Sequence, residues 1–166
     1  GFRKEHIFVT GSPMPEVLGQ YREQIENSQV LERLGLAAGQ YILVSAHREE
    51  NIDNDANFFS LMSALNNMAE RYGMPLVYST HPRSRKFIEQ RGFVFHPLVR
   101  SLAPFGFYDY NKLQKNAYCV LSDSGTLSEE SAILGFTGVS IRTSTERPEV
   151  LDKGTMVIGG ITGEDI

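Results

Sequence analysis

The sequence predicts an α/β fold, a parallel sheet flanked by helices, on three observations. Short apolar runs alternate with longer amphipathic stretches, with no repeat or low-complexity segment between them. The loops that follow the apolar runs are unusually polar, supplying His47-Arg48-Glu49-Glu50, His81-Pro82-Arg83 and Ser122 to Thr126. The length, 166 residues at 41% hydrophobic content, suits one domain with a proper core.

The elements follow in order. Ile7-Phe8-Val9 is expected as a first strand, Thr10-Gly11-Ser12-Pro13 as its turn, and Val17, Leu18, Tyr21 and Ile25 as the apolar positions of a helix. Tyr41-Ile42-Leu43-Val44-Ser45 is a second strand running into Ala46-His47-Arg48-Glu49-Glu50-Asn51. A long helix comes next, with Phe58, Leu61, Met62, Leu65 and Met68 on one face. Asp53-Asn54-Asp55 lacks the glycine and closing glutamate of a calcium loop and is expected to cap that helix. Leu76-Val77-Tyr78-Ser79 with a helix from Pro82 to Arg91 makes a third unit. Tyr118 to Leu121 with a helix from Leu127 to Leu134 makes a later one, and Gly138-Val139-Ser140-Ile141 is a last buried strand.

Composition excludes several classes of partner. The net charge of −4 is spread along the chain, so neither a nucleic-acid groove nor an anionic membrane surface is expected. No apolar run approaches the roughly 20 residues that span a bilayer. The start, Gly1-Phe2-Arg3-Lys4, has neither an initiator methionine nor a signal segment. A cytoplasmic chain that begins mid-protein is the expectation. Cys119 is the one cysteine and reads as a core thiol in a reducing compartment. No cluster of metal ligands appears. No G-x-G-x-x-G follows the first strand, so hydride transfer on a dinucleotide is disfavoured, and no cofactor is expected.

In open α/β sheets ligands collect beyond the carboxyl ends of the strands. Four polar loops belong there: His47 to Glu50, His81-Pro82-Arg83, Ser122 to Thr126 and Arg142 to Glu149. In Ser122-Asp123-Ser124-Gly125-Thr126-Leu127-Ser128-Glu129-Glu130, small residues between a strand and a helix would present helix N–H groups to a phosphate. The Ser124 and Thr126 hydroxyls could donate, and the Glu130 carboxylate could accept from two ribose hydroxyls. Simple capping, with Ser124 or Thr126 as N-cap, stays open beside that reading. Ser124 as a nucleophile is disfavoured, because Ser122 stands where the G-x-S-x-G elbow needs glycine. His47 could carry a proton or positive charge to a diphosphate; alternatively it is a loop histidine bonded to backbone. Arg83, Arg85 and Lys86 suit a solvated helical face, and His6 and His96 suit the surface.

Thr10-Gly11-Ser12-Pro13, His47-Arg48-Glu49-Glu50-Asn51, Asp123-Ser124-Gly125 with Glu129-Glu130, and Thr145-Glu146-Arg147-Pro148-Glu149 occur in the order seen in the non-hydrolysing UDP-N-acetylglucosamine 2-epimerases. The chain resembles that family over nearly its whole length. The resemblance implies a Rossmann-like sheet, with residues 1–166 as the C-terminal, UDP-binding domain of a two-domain glycosyltransferase-B-like fold. The N-terminal domain, with the carboxylates that handle the C2 proton, would lie outside this chain. The implied reaction is elimination of UDP to a glycal and re-addition with C2 inverted. Position by position, His47 resembles the family histidine near the diphosphate, with Arg48 beside it. Ser124, Gly125 and Thr126 resemble the phosphate turn, Glu130 the ribose-binding glutamate, Arg147 the arginine at the nucleotide, and Tyr110 the aromatic residue by the uracil. His81 is similar to a histidine that serves a second, regulatory sugar-nucleotide site in bacterial members.

Some departures stand out. Tyr110 replaces phenylalanine, Thr126 replaces a second glycine, and Ser79-Thr80-His81-Pro82-Arg83 differs from the common pattern. With Ser12-Pro13-Met14 and Pro104 to Phe107, these resemble the capsule and O-antigen branch, which acts on UDP-2-acetamido-2,6-dideoxy-L-hexoses on the route to UDP-N-acetyl-L-fucosamine. The resemblance further implies a UDP-sugar as ligand, a homodimer for the full-length protein through the other domain, and a monomeric, inactive fragment. The alternatives are a UDP-sugar glycosyltransferase of the same fold and a non-enzymatic α/β regulatory module, since fold alone does not decide chemistry.

Overall fold

The computed structural model describes residues 3–8, 10–141 and the strand at 156–159. Six parallel strands form one sheet: β1 (Ile42–Ser45), β2 (Leu76–Ser79), β3 (Val99–Leu102), β4 (Cys119–Ser122), β5 (Gly138–Ile141) and β6 (Met156–Gly159). Their spatial order is β3-β2-β1-β4-β5-β6, and each neighbouring pair is parallel. The helices are α1 (Met14–Gln20), α2 (Arg22–Glu26), α3 (Val30–Leu34), α4 (Glu49–Ile52), α5 (Asp55–Tyr72), α6 (Pro82–Gln90), α7 (Phe107–Asn116) and α8 (Leu127–Leu134), after a short 3-10 turn at Lys4–His6.

The central strands β1, β2 and β4 are largely apolar because both of their faces are covered, and their period of two divides the core in half. Ile42 and Val44 enter one cluster with Leu76, Tyr78 and Leu121, against Phe58, Leu61, Met62 and Leu65 of α5. Tyr41 and Leu43 point the other way, into a cluster with Val77, Val120, Leu113 of α7 and Leu127 of α8. The five positions expected on one face of α5 are all buried. Each large apolar side chain fully removed from water contributes about 1.5–3 kcal/mol. Asn54 caps α5, its side-chain oxygen accepting from the Asn57 N–H at 3.2 Å, and Gly73 ends the helix at φ 60°.

The sequence expectation fails in several places. Ile7 and Phe8 form no strand and are 57% and 81% exposed: the run is too short to be told from a linker by its apolarity. The expected single helix through Val17 and Ile25 breaks at Tyr21, at φ −104°, where the ring sits against Phe107 and Tyr108. Tyr118 lies outside β4 and is half exposed, its ring beside Tyr72. Cys119 packs against the core as expected but is only partly buried, and that burial pushes the thiol up to about 11. Strands β3 and β6 and helices α3 and α7 were not anticipated.

Candidate functional site

Strand β1 lies between β2 and β4, so the chain winds outward from β1 to β3 and then crosses back to begin the other half of the sheet at β4. At this reversal the loops leaving β1 and β4 diverge and leave a crevice beyond the strand ends. His47 and Arg48 follow β1, Asp123 to Thr126 follow β4, and His81 follows β2 at the N-cap of α6. Three of the four expected loops therefore meet. The fourth, Arg142 to Glu149 with Arg147, lies outside the described residues.

Asp123 joins the two sides of the crevice. It is fully buried, and its Oδ2 accepts from the backbone N–H groups of His47 and Arg48, each at 2.8 Å, and from Asn51 Nδ2 at 3.1 Å. Arg48 Nε donates to the Asp123 carbonyl at 2.8 Å, which turns a half-buried guanidinium toward the start of α8. The His47 side chain is 49% exposed, with Nδ1 3.2 Å from Asp123 Oδ1. The backbone-bonded alternative for that imidazole is not what the structure shows: the side chain faces a carboxylate.

Opening α8, the hydroxyl residues form a linked turn. The Ser124 N–H donates to Ser122 Oγ at 3.1 Å, and the Thr126 N–H to Ser124 Oγ at 3.3 Å. The Ser124 and Thr126 hydroxyls are 2.9 Å apart, and Thr126 donates to Glu130 Oε1 at 2.8 Å. Thr126 occupies the N-cap position without making a side-chain cap bond, so the simple capping arrangement is absent. The first intrahelical bond runs from the Glu130 N–H to the Thr126 carbonyl at 3.0 Å, so the helix opens immediately beyond the turn. Gly125 has an ordinary backbone conformation, and a Cβ built there meets nothing within 4 Å. Folding therefore does not require this glycine.

Tyr110 on α7 is half-buried beside the same strand ends. Burial pushes its phenol up to about 12, bonds to Ser45 and Ser122 pull it down, and the Glu130 and Asp123 carboxylates push it up. Gln114, one turn further along α7, donates to Glu130 Oε2 at 2.6 Å. On the β2 side the His81 ring centre lies 6.2 Å from that of His47, and His81 Nδ1 accepts from the Arg83 N–H at 3.3 Å. Arg83 is more than a solvated helical charge: it pairs with Glu49 at 2.7 Å and Asp53 at 2.5 Å, tying α6 to α4. His47, Arg48, Glu49, Glu50, His81 and Arg83 line an open cleft of 480 Å³. His96, expected at the surface, is half-buried and accepts from the Leu98 N–H.

Asp123, Asn51 and Gln114 are the residues sequence reasoning passed over as individuals. For Asp123 the signal was present, since a carboxylate directly after a buried strand must find donors. Among the described residues no group of three or more His, Cys, Asp or Glu is placed to hold a metal ion, and no helix is long and apolar enough to cross a membrane.

The geometry has close relatives. Residues 1–166 match the UDP-N-acetylglucosamine 2-epimerase family. The UDP-N-acetylglucosamine 2-epimerase of Methanococcus maripaludis is 34% identical over 173 residues, covering all of this chain and 47% of the relative. A structure of UDP-N-acetylglucosamine 2-epimerase from Rickettsia bellii superposes with a TM-score of 0.78 at 37% identity, covering 93% of this chain and 41% of that one. The Methanocaldococcus jannaschii UDP-GlcNAc 2-epimerase, solved in complex with UDP-GlcNAc and UDP, gives 0.87 at 27% identity, covering 99% and 47%. The chain thus spans about half the length of the relatives it matches, and it has the fold of their C-terminal, glycosyltransferase-B-like domain. With the sheet order, the β1 and β4 loops and similarity along its full length in agreement, the chain belongs to the UDP-N-acetylglucosamine 2-epimerase family.

Proposed function

We propose that this chain is the UDP-binding half of a 2-epimerase acting on a UDP-2-acetamido sugar. The observation that carries this reading is the linked Ser124-Gly125-Thr126 turn at the head of α8, facing His47 and Arg48 across the switch point. The diphosphate sits on the turn and the helix N–H groups, where the helix dipole and the Arg48 guanidinium favour anionic charge. Glu130, already oriented by Thr126 and Gln114, accepts from the ribose hydroxyls, and Tyr110 flanks the uracil. Arg147 completes the nucleotide contacts, and His81 serves a second, regulatory site.

In this reading the chemistry is an elimination. A base takes the C2 proton, the C2–H electrons form the C1–C2 double bond, and the C1–O pair leaves with UDP. The double-bond electrons then take a proton on the opposite face of C2 as the UDP oxygen bonds to C1 again, which regenerates the sugar nucleotide with C2 inverted. Charge accumulates on the departing diphosphate, so the His47, Arg48 and helix N–H contacts strengthen as the bond breaks and act most on the transition state. The carboxylates that move the C2 proton belong to another part of the protein, in which two such units pair, and this chain alone is monomeric and without turnover. The departures at Tyr110, Thr126 and Ser79 to Arg83 favour UDP-2-acetamido-2,6-dideoxy-L-hexoses as substrates, in cytoplasmic synthesis of surface polysaccharide.

The test is calorimetric titration of the chain with UDP and ADP, repeated on Glu130→Ala. Preference for UDP, weakened at least tenfold by the variant, is expected. Equal binding of ADP, or an unaffected variant, removes the nucleotide from this turn. In a protein that also contains the other half, interconversion of two sugar nucleotides without an acceptor separates epimerase from glycosyltransferase.

A further inference from the structure

The two oxygens of Asp123 are treated unequally. Oδ2 has three donors, whereas Oδ1 is buried without a hydrogen-bond partner. His47 Nδ1 is near enough, at 3.2 Å, but the ring is not aligned to donate. Leaving a buried carboxylate oxygen unsatisfied costs about 1–3 kcal/mol or more. A turn of the half-exposed imidazole would supply the missing bond. Since the His47 main-chain N–H already binds Oδ2, one carboxylate then holds both the backbone and the ring of the same residue.

We propose that Asp123 is a positioning residue for His47. It accepts the Nδ1–H, fixes the neutral ring in the Nδ1–H tautomer and turns Nε2 toward the cleft, where it can accept or deliver a proton at the diphosphate. A carboxylate behind a histidine sets tautomer and orientation in this way without itself exchanging the proton. The use of Nε2 at the diphosphate rests on the nucleotide reading above; the tautomer does not.

The experiment is long-range proton–nitrogen NMR of the chain carrying nitrogen-15 histidine, at pH 9 where imidazoles are neutral, with the His47 signals assigned by their loss in His47→Gln. Free histidine in water favours the Nε2–H form, so an Nδ1–H ring is diagnostic. Wild-type His47 is expected as Nδ1–H. In Asp123→Asn the amide oxygen can keep the three donors of Oδ2, while its NH₂ faces Nδ1 and makes that nitrogen an acceptor, so the ring should switch to Nε2–H. An Nε2–H ring in the wild type overturns the proposal, even if the variant fails to fold. So does a folded variant with the tautomer unchanged, whatever its affinity for UDP. A tautomer switch together with no UDP binding by the wild type would uphold Asp123 and sink the nucleotide reading instead.

Discussion

The side-chain amide of Gln114 on α7 donates to the Glu130 carboxylate on α8 at 2.6 Å, while its own Oε1 is buried with no hydrogen-bond partner. Gln114 is therefore placed to orient Glu130 at some expense to stability. Gln114→Leu removes the unpartnered oxygen along with the donor and keeps the volume, so unfolding free energy should stay within about 1 kcal/mol of wild type. Affinity for UDP should fall several-fold because Glu130 loses one of its two supports. Thermal unfolding and calorimetry on the same sample check both statements, and unchanged affinity would detach Gln114 from the site.

Gly125→Ala separates fold from ligand. The backbone there is ordinary and the added methyl has open space, so stability should be unchanged or slightly higher. A nucleotide phosphate drawn onto the turn would meet that methyl. We expect UDP affinity to drop at least tenfold with an unaltered melting temperature. A variant that binds UDP normally would place the phosphate elsewhere.

Phe58 is fully buried and lies beneath Arg91, whose Cζ is 4.4 Å from the ring centre. Phe58→Ala should cost about 3–5 kcal/mol, from lost transfer energy and the cavity left behind. Phe58→Leu should cost less, but it still forfeits the cation–π contact. Urea unfolding of the three proteins measures the differences.

Glu26 has its carboxyl pKa lowered by its hydrogen bond to Lys115, with burial opposing and Lys112 assisting. A folded pKa below the unfolded one gives stability that is present above the unfolded value and lost as pH falls through the folded value. Because the Glu26–Lys115 pair is open to solvent and screened by it, the effect is below about 1 kcal/mol. Lys115→Gln should therefore lower stability slightly at pH 7, and the difference from wild type should shrink as acid protonates Glu26 in the folded protein. A gap that stays constant as the pH is lowered would assign the effect to packing.

The sequence was most legible where one physical signal dominated. Phe58, Leu61, Met62, Leu65 and Met68 share a helical face, and all five are buried. The apolar runs at Ile42 to Ser45 and Leu76 to Ser79 are central strands covered on both sides, so their character is unmasked. Strand β3 escaped notice because Val99-Arg100-Ser101-Leu102 is a sheet edge in which Arg100 reaches out to the Leu34 carbonyl at 2.6 Å. Helix α7 was hidden because two of its three buried residues, Asn111 and Gln114, are polar. The loops of the candidate site were visible as polar clusters after strands. Their pairing was not, because Asp123 meets His47 only through the strand order, which no local pattern encodes.

The bonds from Asp123 to the amides of His47 and Arg48 span 76 and 75 residues. Closing a chain segment of that length carries an entropic cost that is met only when β1 and β4 are zipped together. A ligand bridging both loops would bind the closed sheet and not the open chain, adding about 2.7 kcal/mol of stability at a hundred times its dissociation constant. The two amides would then exchange with solvent only when the halves of the sheet part, making a pair of backbone protons a gauge of the whole fold.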